Sequence, residues 1–415
     1  MGKQTNRNEN MKPRLNRRRF LRTTALAGGV LLGLDRLPFV NRAEAVPYVA
    51  APLQTRSQVS LATGTDHVDL VFQALQPFKA QVAAAIGNRP VLIKPNCVSA
   101  TGSNVLNSDT PVECLEAILE FLSSIGKTDV TVAENSPGAL TMTAFSNNNY
   151  FSLLKKYPVR FKELSQEGAL PMTTWNSGSS YRSASSPTDG VFIAKMLVKP
   201  RKYFVISACK PKTHNYQVAT LSYKNIVMGS ALENQTMYVS GQSGWPDVKQ
   251  HMHWVAGNAG SNNTQLNIGC QDLCDTIFSL IPLLAPDMAV IDAFQGMQGN
   301  GPTGGTMVNQ YAAIAGLDWL AVDRVAVEMM NIKQAISSVG GDATAYTSSS
   351  KSAQWPWPMY PAALNYCGQA GMGQYALSLI DVLGPAIASV QHQYTLHSNI
   401  TSGTSPQLVT GYAHR

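Results

Sequence analysis

The sequence predicts one large α/β domain: a mainly parallel sheet flanked by helices, with its ligand site at the strand carboxyl ends. Three observations predict it. Short β-branched apolar runs recur along the chain, and each closes on polar turn residues. The first two runs are bridged by an amphipathic stretch, as in a βαβ unit. With 44% apolar and only 14% charged side chains, the chain can bury a large core, which argues against intrinsic disorder.

Taken in order, Val91-Leu92-Ile93 reads as a strand stopping at Lys94-Pro95-Asn96. A helix follows to Ile125, with Thr110 or Asp109 as N-cap, Pro111 at its first position and Gly126 past its end. Asp129 to Ala133 is the next strand, closing on Glu134-Asn135-Ser136-Pro137-Gly138, and Tyr203 to Ser207 another, leading into Lys210-Pro211-Lys212-Thr213-His214. Leu273 to Leu284 reads as a helix, Met288 to Asp292 as a strand, and Leu320 to Met330 as a helix that begins near Asp318 and carries Asp323. Residues 337–361, with Trp355-Pro356-Trp357-Pro358, read as an irregular surface flap or partner contact before order resumes at Ala370 and the apolar run Leu377 to Leu383. Residues 46–89 are given no element and form a lead-in; residues 398–415 form a tail. No repeat stands out at periods of 20 to 50 residues.

The first 45 residues read as an address. Arg17-Arg18-Arg19-Phe20-Leu21-Arg22 has the pattern of a twin-arginine export signal, Thr23 to Leu34 is a mildly apolar stretch too short to span a bilayer, and Ala43-Glu44-Ala45 fits a signal-peptidase site. The expected location is the periplasm, reached through the twin-arginine export machinery, with no permanent membrane anchor. This segment also accounts for the formal charge of +7, from 32 basic and 25 acidic residues. Its ten basic and three acidic side chains, once removed, leave 22 of each in residues 46–415. A neutral body argues against non-specific nucleic-acid binding, which needs many phosphate-neutralising cations.

The six cysteines include no Cys-x-x-Cys pair, so neither a zinc ribbon nor a ferredoxin cluster is written here. Cys270 and Cys274 read as paired core thiols. There is no Gly-x-Ser-x-Gly elbow and no P-loop, and nothing resembles the dinucleotide fingerprint after the first strand, where Lys94-Pro95-Asn96 replaces the glycines. The chemistry sits at strand ends, where open α/β sheets place ligands: Lys94 and Asn96; Lys212, His214, Lys224 and Asn225; then Asp292 and the glycine-dense loop with Gly299, Asn300 and Gly301. Three lysines with glycine N–H groups suit phosphate or carboxylate. For the glycines alone, a tight loop needing positive φ is the plainer reading. His251 and His253 would share a side of an extended segment and could hold a divalent metal with Asp292, although isolated pairs are more often surface residues. His67, His392, His397 and His414 have no patterned partner and are assigned no role.

These motifs resemble a known family. Val91 to Asn96, the Thr110-Pro111 start, Lys210 to His214 with Thr220 to Asn225, Asp292 to Gly305, Ala315 to Asp323 and Ala370 to Gly384 are similar in order to domain of unknown function 362, over roughly residues 90–397. The resemblance implies an α/β domain and a site built from Lys94, Asn96, Lys212, His214, Lys224, Asn225, Asp292 and Asn300. It also implies, in many relatives, a ferredoxin-type iron–sulfur segment for which this chain lacks the cysteines. The stretch around Gln242–Asn267, which holds the histidine pair, is larger than the resemblance leads one to expect.

Two functions from different classes follow. One is an exported enzyme on a small anionic substrate, metal-assisted or not, with Lys94, Lys212 and Lys224 on the anion and His214 and Asp292 as catalytic groups. The other is a non-catalytic binding or maturation protein whose Trp-Pro flap meets an exported partner. A redox protein is a weaker third reading. The enzyme is favoured, because lysines, a histidine and a carboxylate are costly to gather for structure alone.

Overall fold

Val91, Leu92 and Ile93 are apolar on both faces, as a strand covered by helices on both sides requires. In the computed structural model of the chain they form β2, in the middle of a sheet. The structure describes residues 52–98, 105–136, 141–173, 190–214, 217–232, 280–338 and 362–397, with Leu273, Ile277 and Phe278. The twin-arginine segment, the 251/253 histidine pair, Cys270, Cys274 and all of the predicted flap after Ser338 lie outside them.

The first elements are β1 (Ser57–Thr63), α1 (His67–Leu75) and α2 (Lys79–Ile86). Next come β2 (Val91–Lys94), α3 (Val112–Ser124), β3 (Val130–Glu134), α4 (Thr141–Asn147) and β4 (Val159–Glu163). A two-stranded antiparallel ribbon, β5 (Ala169–Thr173) and β6 (Gly190–Ala194), stands apart. The second half holds β7 (Phe204–Cys209), β8 (Lys212–His214), β9 (Val218–Thr220) and α5 (Ser222–Ser230). It continues with β10 (Met288–Gln298), β11 (Thr306–Gly316), α6 (Trp319–Met329), α7 (Ile332–Ser338), α8 (Ala362–Gln369) and β12 (Ile380–Leu383).

Ten strands make the main sheet, in the order β12-β1-β11-β10-β7-β2-β3-β4, with β8 on β10 and β9 on β8. Pairing is parallel from β10 through β7, β2 and β3 to β4, and again between β1 and β12; β11 runs antiparallel to both its neighbours. Leu92, Val205 and Ile291 face α5 and α6 on one side. Ile93, Val132, Ile206 and Val290 face α1 and α3 on the other. The α/β class, the parallel core and the flanking helices are as the sequence predicts.

Four local expectations are corrected. The lead-in is not bare, since residues 57–86 supply a strand and two helices of the domain. Neither Thr110 nor Asp109 caps α3, whose preceding residue is Pro111 and whose start has no side-chain cap. Both side chains are spent on the neighbouring loop instead: Thr110 Oγ1 accepts from Asn96 N (2.8 Å) and donates to Ala208 O (2.9 Å), while Asp109 accepts from Val98 N (2.6 Å). Asp292 does not open a loop, because β10 continues to Gln298 and turns at residues 299–305 into β11. The glycine-dense stretch is therefore a β-hairpin with its turn.

Candidate functional site

The carboxyl ends of β2, β3, β7 and β10 gather a continuous set of buried polar side chains. Lys94 ends β2 and is fully buried. Its ammonium donates to Glu134 Oε2 at 2.7 Å, Asn225 Oδ1 at 3.0 Å and Pro95 O at 2.9 Å. Glu134, at the end of β3, also accepts from Cys97 N and Asn135 N. Asn225, on α5, donates to Lys94 O and to Ser207 Oγ on β7. The pair fits under α5 because residue 229 is glycine: a Cβ there would lie 2.2 Å from Lys94 Nζ.

Lys212 lies next to this pair and is also fully buried. Its ammonium donates to Asn96 Oδ1 and to Ser108 O, each at 2.6 Å. Among the described residues it makes no ion pair, and burial draws its pKa down to about 8, opposed by the nearby Asp109 carboxylate. Burial in turn raises Asp109, against the N–H of Val98, the Lys212 charge and Asn148. Lys210 points to the α1/α3 side, where burial lowers it and Asp292 and Asp109 oppose that shift. The Cys97 thiol is pushed well up by burial and by the charges of Asp109 and Glu134, so it is a poor thiolate.

Asp292 sits inside β10, fully buried, with its side chain on the α1/α3 face. Its Oδ2 lies 2.8 Å from Nε2 of His67, the first residue of α1, and its Oδ1 accepts from Phe294 N at 3.0 Å. The helix start is set by Asp66, whose side chain accepts from Asp69 N. His67 stacks on Phe294 with ring centroids 4.2 Å apart. His214 is buried in β8, where its Nδ1 accepts from Gln217 N at 3.2 Å. Val218, opposite His214 in the β8–β9 ladder, holds φ at 63°, strained for a β-branched residue.

Asp323 of α6 was placed on its helix by the sequence. The structure gives it a further contact: its two carboxylate oxygens accept from Ser222 N and Tyr223 N at the start of α5, at 2.9 and 2.8 Å. Burial pushes its pKa up to about 8 despite those donors.

The predicted residues are thus brought to one edge but divided by the sheet. Lys94 and Asn225 lie on the α5 face, Asp292 lies on the α1/α3 face, and between them Asn96, in the loop after β2, meets Lys212, the first residue of β8. Lys224 is buried on α5 and His214 lies in β8 beside the edge. The hairpin glycines do not form an anion cradle, because the N–H groups of Gly299, Gly301 and Gly304 are spent on Thr395 O, Gly299 O and Asn300 O. Asn300 is exposed in the turn. Gly301 is small because Thr213 O passes 2.1 Å from where its Cβ would be. Among the described residues no group of three or more His, Cys, Asp or Glu is arranged to hold a metal, and no helix is long and apolar enough to cross a membrane. The four described cysteines, Cys97, Cys114, Cys209 and Cys367, are buried, and no disulfide joins any two of them.

Sequence reasoning missed Glu134 as the counter-ion of Lys94 and His67 as the partner of Asp292. A carboxylate closing the strand after a strand-end lysine could have flagged Glu134. His67 is separated from Asp292 by 225 positions, which no local pattern spans.

A family model described as a domain of unknown function (DUF362) matches residues 91–328, more than half of the chain. The chain belongs to that family. The DUF362 match includes Lys94, Asn96, Glu134, Lys212, His214, Asn225 and Asp292, and leaves out β1, α1 with His67, and β12. No curated protein matches the chain.

Proposed function

We propose that this DUF362 protein is an enzyme acting on a small phosphate- or carboxylate-bearing substrate at the carboxyl edge of the sheet. The observation that carries the reading is Lys212, a fully buried ammonium held by two neutral oxygens and by no direct carboxylate contact among the described residues. A desolvated cation of that kind gains most from an anion. A pKa near 8 also leaves it able to give or take a proton close to neutral pH. The buried Lys94–Glu134–Asn225 cluster beside it supports the reading as a rigid wall rather than a binding group. His214 remains a candidate proton carrier. Asp292, whose two oxygens face His67 Nε2 and Phe294 N–H, is kept as a partner of His67 and not as a metal ligand. A divalent metal at His251 and His253 remains a separate part of the proposal. The twin-arginine motif supports export of the folded chain to the periplasm. Replacing Arg17 and Arg18 by lysine should hold a reporter fused after residue 45 inside the cytoplasm; unchanged export would remove that part.

The test is thermal unfolding of residues 46–415 with inorganic phosphate, then with a panel of small phosphorylated and carboxylated compounds. A true ligand at a hundred times its Kd stabilises by about 2.7 kcal/mol. The rise should vanish in Lys212→Gln and persist in Lys202→Gln, an exposed lysine elsewhere. It should also weaken above about pH 8, as Lys212 loses its proton. If no anion in the panel raises the wild-type transition at millimolar concentration, the substrate class is wrong.

A further inference from the structure

We infer that His67 is a general base of this protein, with Asp292 as its positioning residue, and that its Nδ1 takes a proton from water or a hydroxyl beside a ligand with a planar or apolar part. The orientation comes from a short relay. Phe294 N–H is fixed on Asp292 Oδ1 (3.0 Å), which leaves Oδ2 to accept from His67 Nε2 at 2.8 Å. With Oδ2 as the acceptor of that contact, Nε2 is the donor and Nδ1 is left to carry the lone pair. Nδ1 has no hydrogen-bond partner among the described residues. The carboxylate is fully buried while the imidazole side chain is 17% exposed, so the base is held from the inside and open on the outside. A base oriented by a buried third group is the arrangement that activates proton transfer.

The surroundings are built for a ligand with an apolar part. His67 lies flat on Phe294, and Tyr311 meets the Phe294 ring edge-on at 5.0 Å. Tyr311 is 43% exposed, one of two large exposed hydrophobic side chains among the described residues. It holds φ at 50° where the β10–β11 register breaks between Ala293 and Gln295. A bulge and a left-handed tyrosine next to a half-open imidazole re-aim side chains at a cost the sheet alone does not require. On proton transfer the imidazole becomes an imidazolium, its new charge facing Asp292, and the conjugate oxygen is the nucleophile.

The inference needs no anion and no Lys212, so a failed phosphate titration leaves it standing and its own failure leaves the anion reading untouched. The experiment uses residues 46–415. Histidine 15N spectra should show the wild-type His67 proton on Nε2 with Nδ1 bare. In Asp292→Asn the Phe294 N–H pins the amide oxygen, the amide NH₂ faces Nε2, and the proton should move to Nδ1. Carbethoxylation by diethyl pyrocarbonate, mapped by mass spectrometry, should then fall at least about tenfold at His67 and stay unchanged at the exposed His392. If Asp292→Asn does not fold, the wild type decides: His67 should react faster than His392 although it is less exposed. With 4-nitrophenyl acetate as a ring-bearing probe, ester hydrolysis should drop at least about tenfold in His67→Phe, which keeps the stack on Phe294. The variant leaves Asp292 without its imidazole partner and should melt below the wild type, so rates are compared at a temperature where both are folded. A protonated Nδ1 in the wild type, equal carbethoxylation in wild type and Asp292→Asn, His67 slower than His392, or equal hydrolysis in His67→Phe overturns it.

Discussion

Lys94 and Glu134 set the energetics at the scale of single residues. Each is desolvated, and each is tolerable only because the other is 2.7 Å away with further donors and acceptors closing the shell. Lys94→Met leaves Glu134 buried and alone, and should cost about 3–5 kcal/mol in urea unfolding. The double variant Lys94→Met/Glu134→Leu should recover much of that loss. If the single and double variants are equally unstable, the pair is not the reason the lysine is kept. Asp323 makes a pH prediction. Its folded pKa of about 8 stands above its unfolded value of 3.8, so between those values the folded state holds the extra proton. Its contribution is complete below about pH 4, falls as pH rises toward 8, and is flat beyond. Asp323→Asn should remove that slope, on the order of a few kcal/mol across the window, while leaving one backbone N–H facing an amide NH₂ at about 1–3 kcal/mol. Urea midpoints at pH 5 and pH 8 for both proteins measure it.

Elements place these residues, and their legibility in the sequence follows from how local their signals are. Strand β2, helix α3 and strand β3 are written in continuous periodicity, and α6 in the Asp318 cap that accepts from Leu320 N and Ala321 N. The α3 N-cap was misread because Thr110 and Asp109 serve the Asn96–Val98 loop, a tertiary use that sequence spacing does not separate from a local one. Strand β1, Ser57-Gln58-Val59-Ser60-Leu61-Ala62-Thr63, alternates polar and apolar only weakly and is buried largely by β11 and β12 on its two sides. The glycines of the β10–β11 hairpin suggested an anion loop, because close packing against Thr213 and Tyr394 demands small residues just as a phosphate would. Helix α5 carries a direct test of packing. Gly229→Ala puts a methyl 2.2 Å from Lys94 Nζ, whose position is fixed by three hydrogen bonds. The substitution should cost about 1–3 kcal/mol although alanine is the better helix former. A variant as stable as the wild type would mean that Lys94 moves freely, and the rigid-wall role would fail with it.

At the scale of the whole molecule, the family-matched segment and the folding unit do not coincide. Residues 91–328 end one position before the C-terminus of α6 and include neither β1 nor β12. Without β1, strand β11 becomes an edge whose Ala312, Ala313, Ile314 and Ala315 are all buried in the intact sheet. An exposed flat apolar edge recruits other chains. A Cβ on Gly316 would also lie 3.1 Å from Gln58 O, so the β1–β11 seam is close as well as long. The α1/α3 face would lose Leu70, Val71, Ala74 and Leu75, a contiguous part of its core. A fragment of residues 91–328 should therefore aggregate or unfold without cooperativity, whereas residues 52–397 should give a single cooperative transition. Size-exclusion profiles and denaturant unfolding of the two proteins decide it. The same truncation removes His67 from Asp292, so a soluble 91–328 fragment would carry the buried lysines and the anion site without the proposed base. Within residues 52–397, phosphate-dependent stabilisation lost in Lys212→Gln but kept in His67→Phe, with ester hydrolysis lost only in His67→Phe, would assign the two activities to separate parts of one sheet edge.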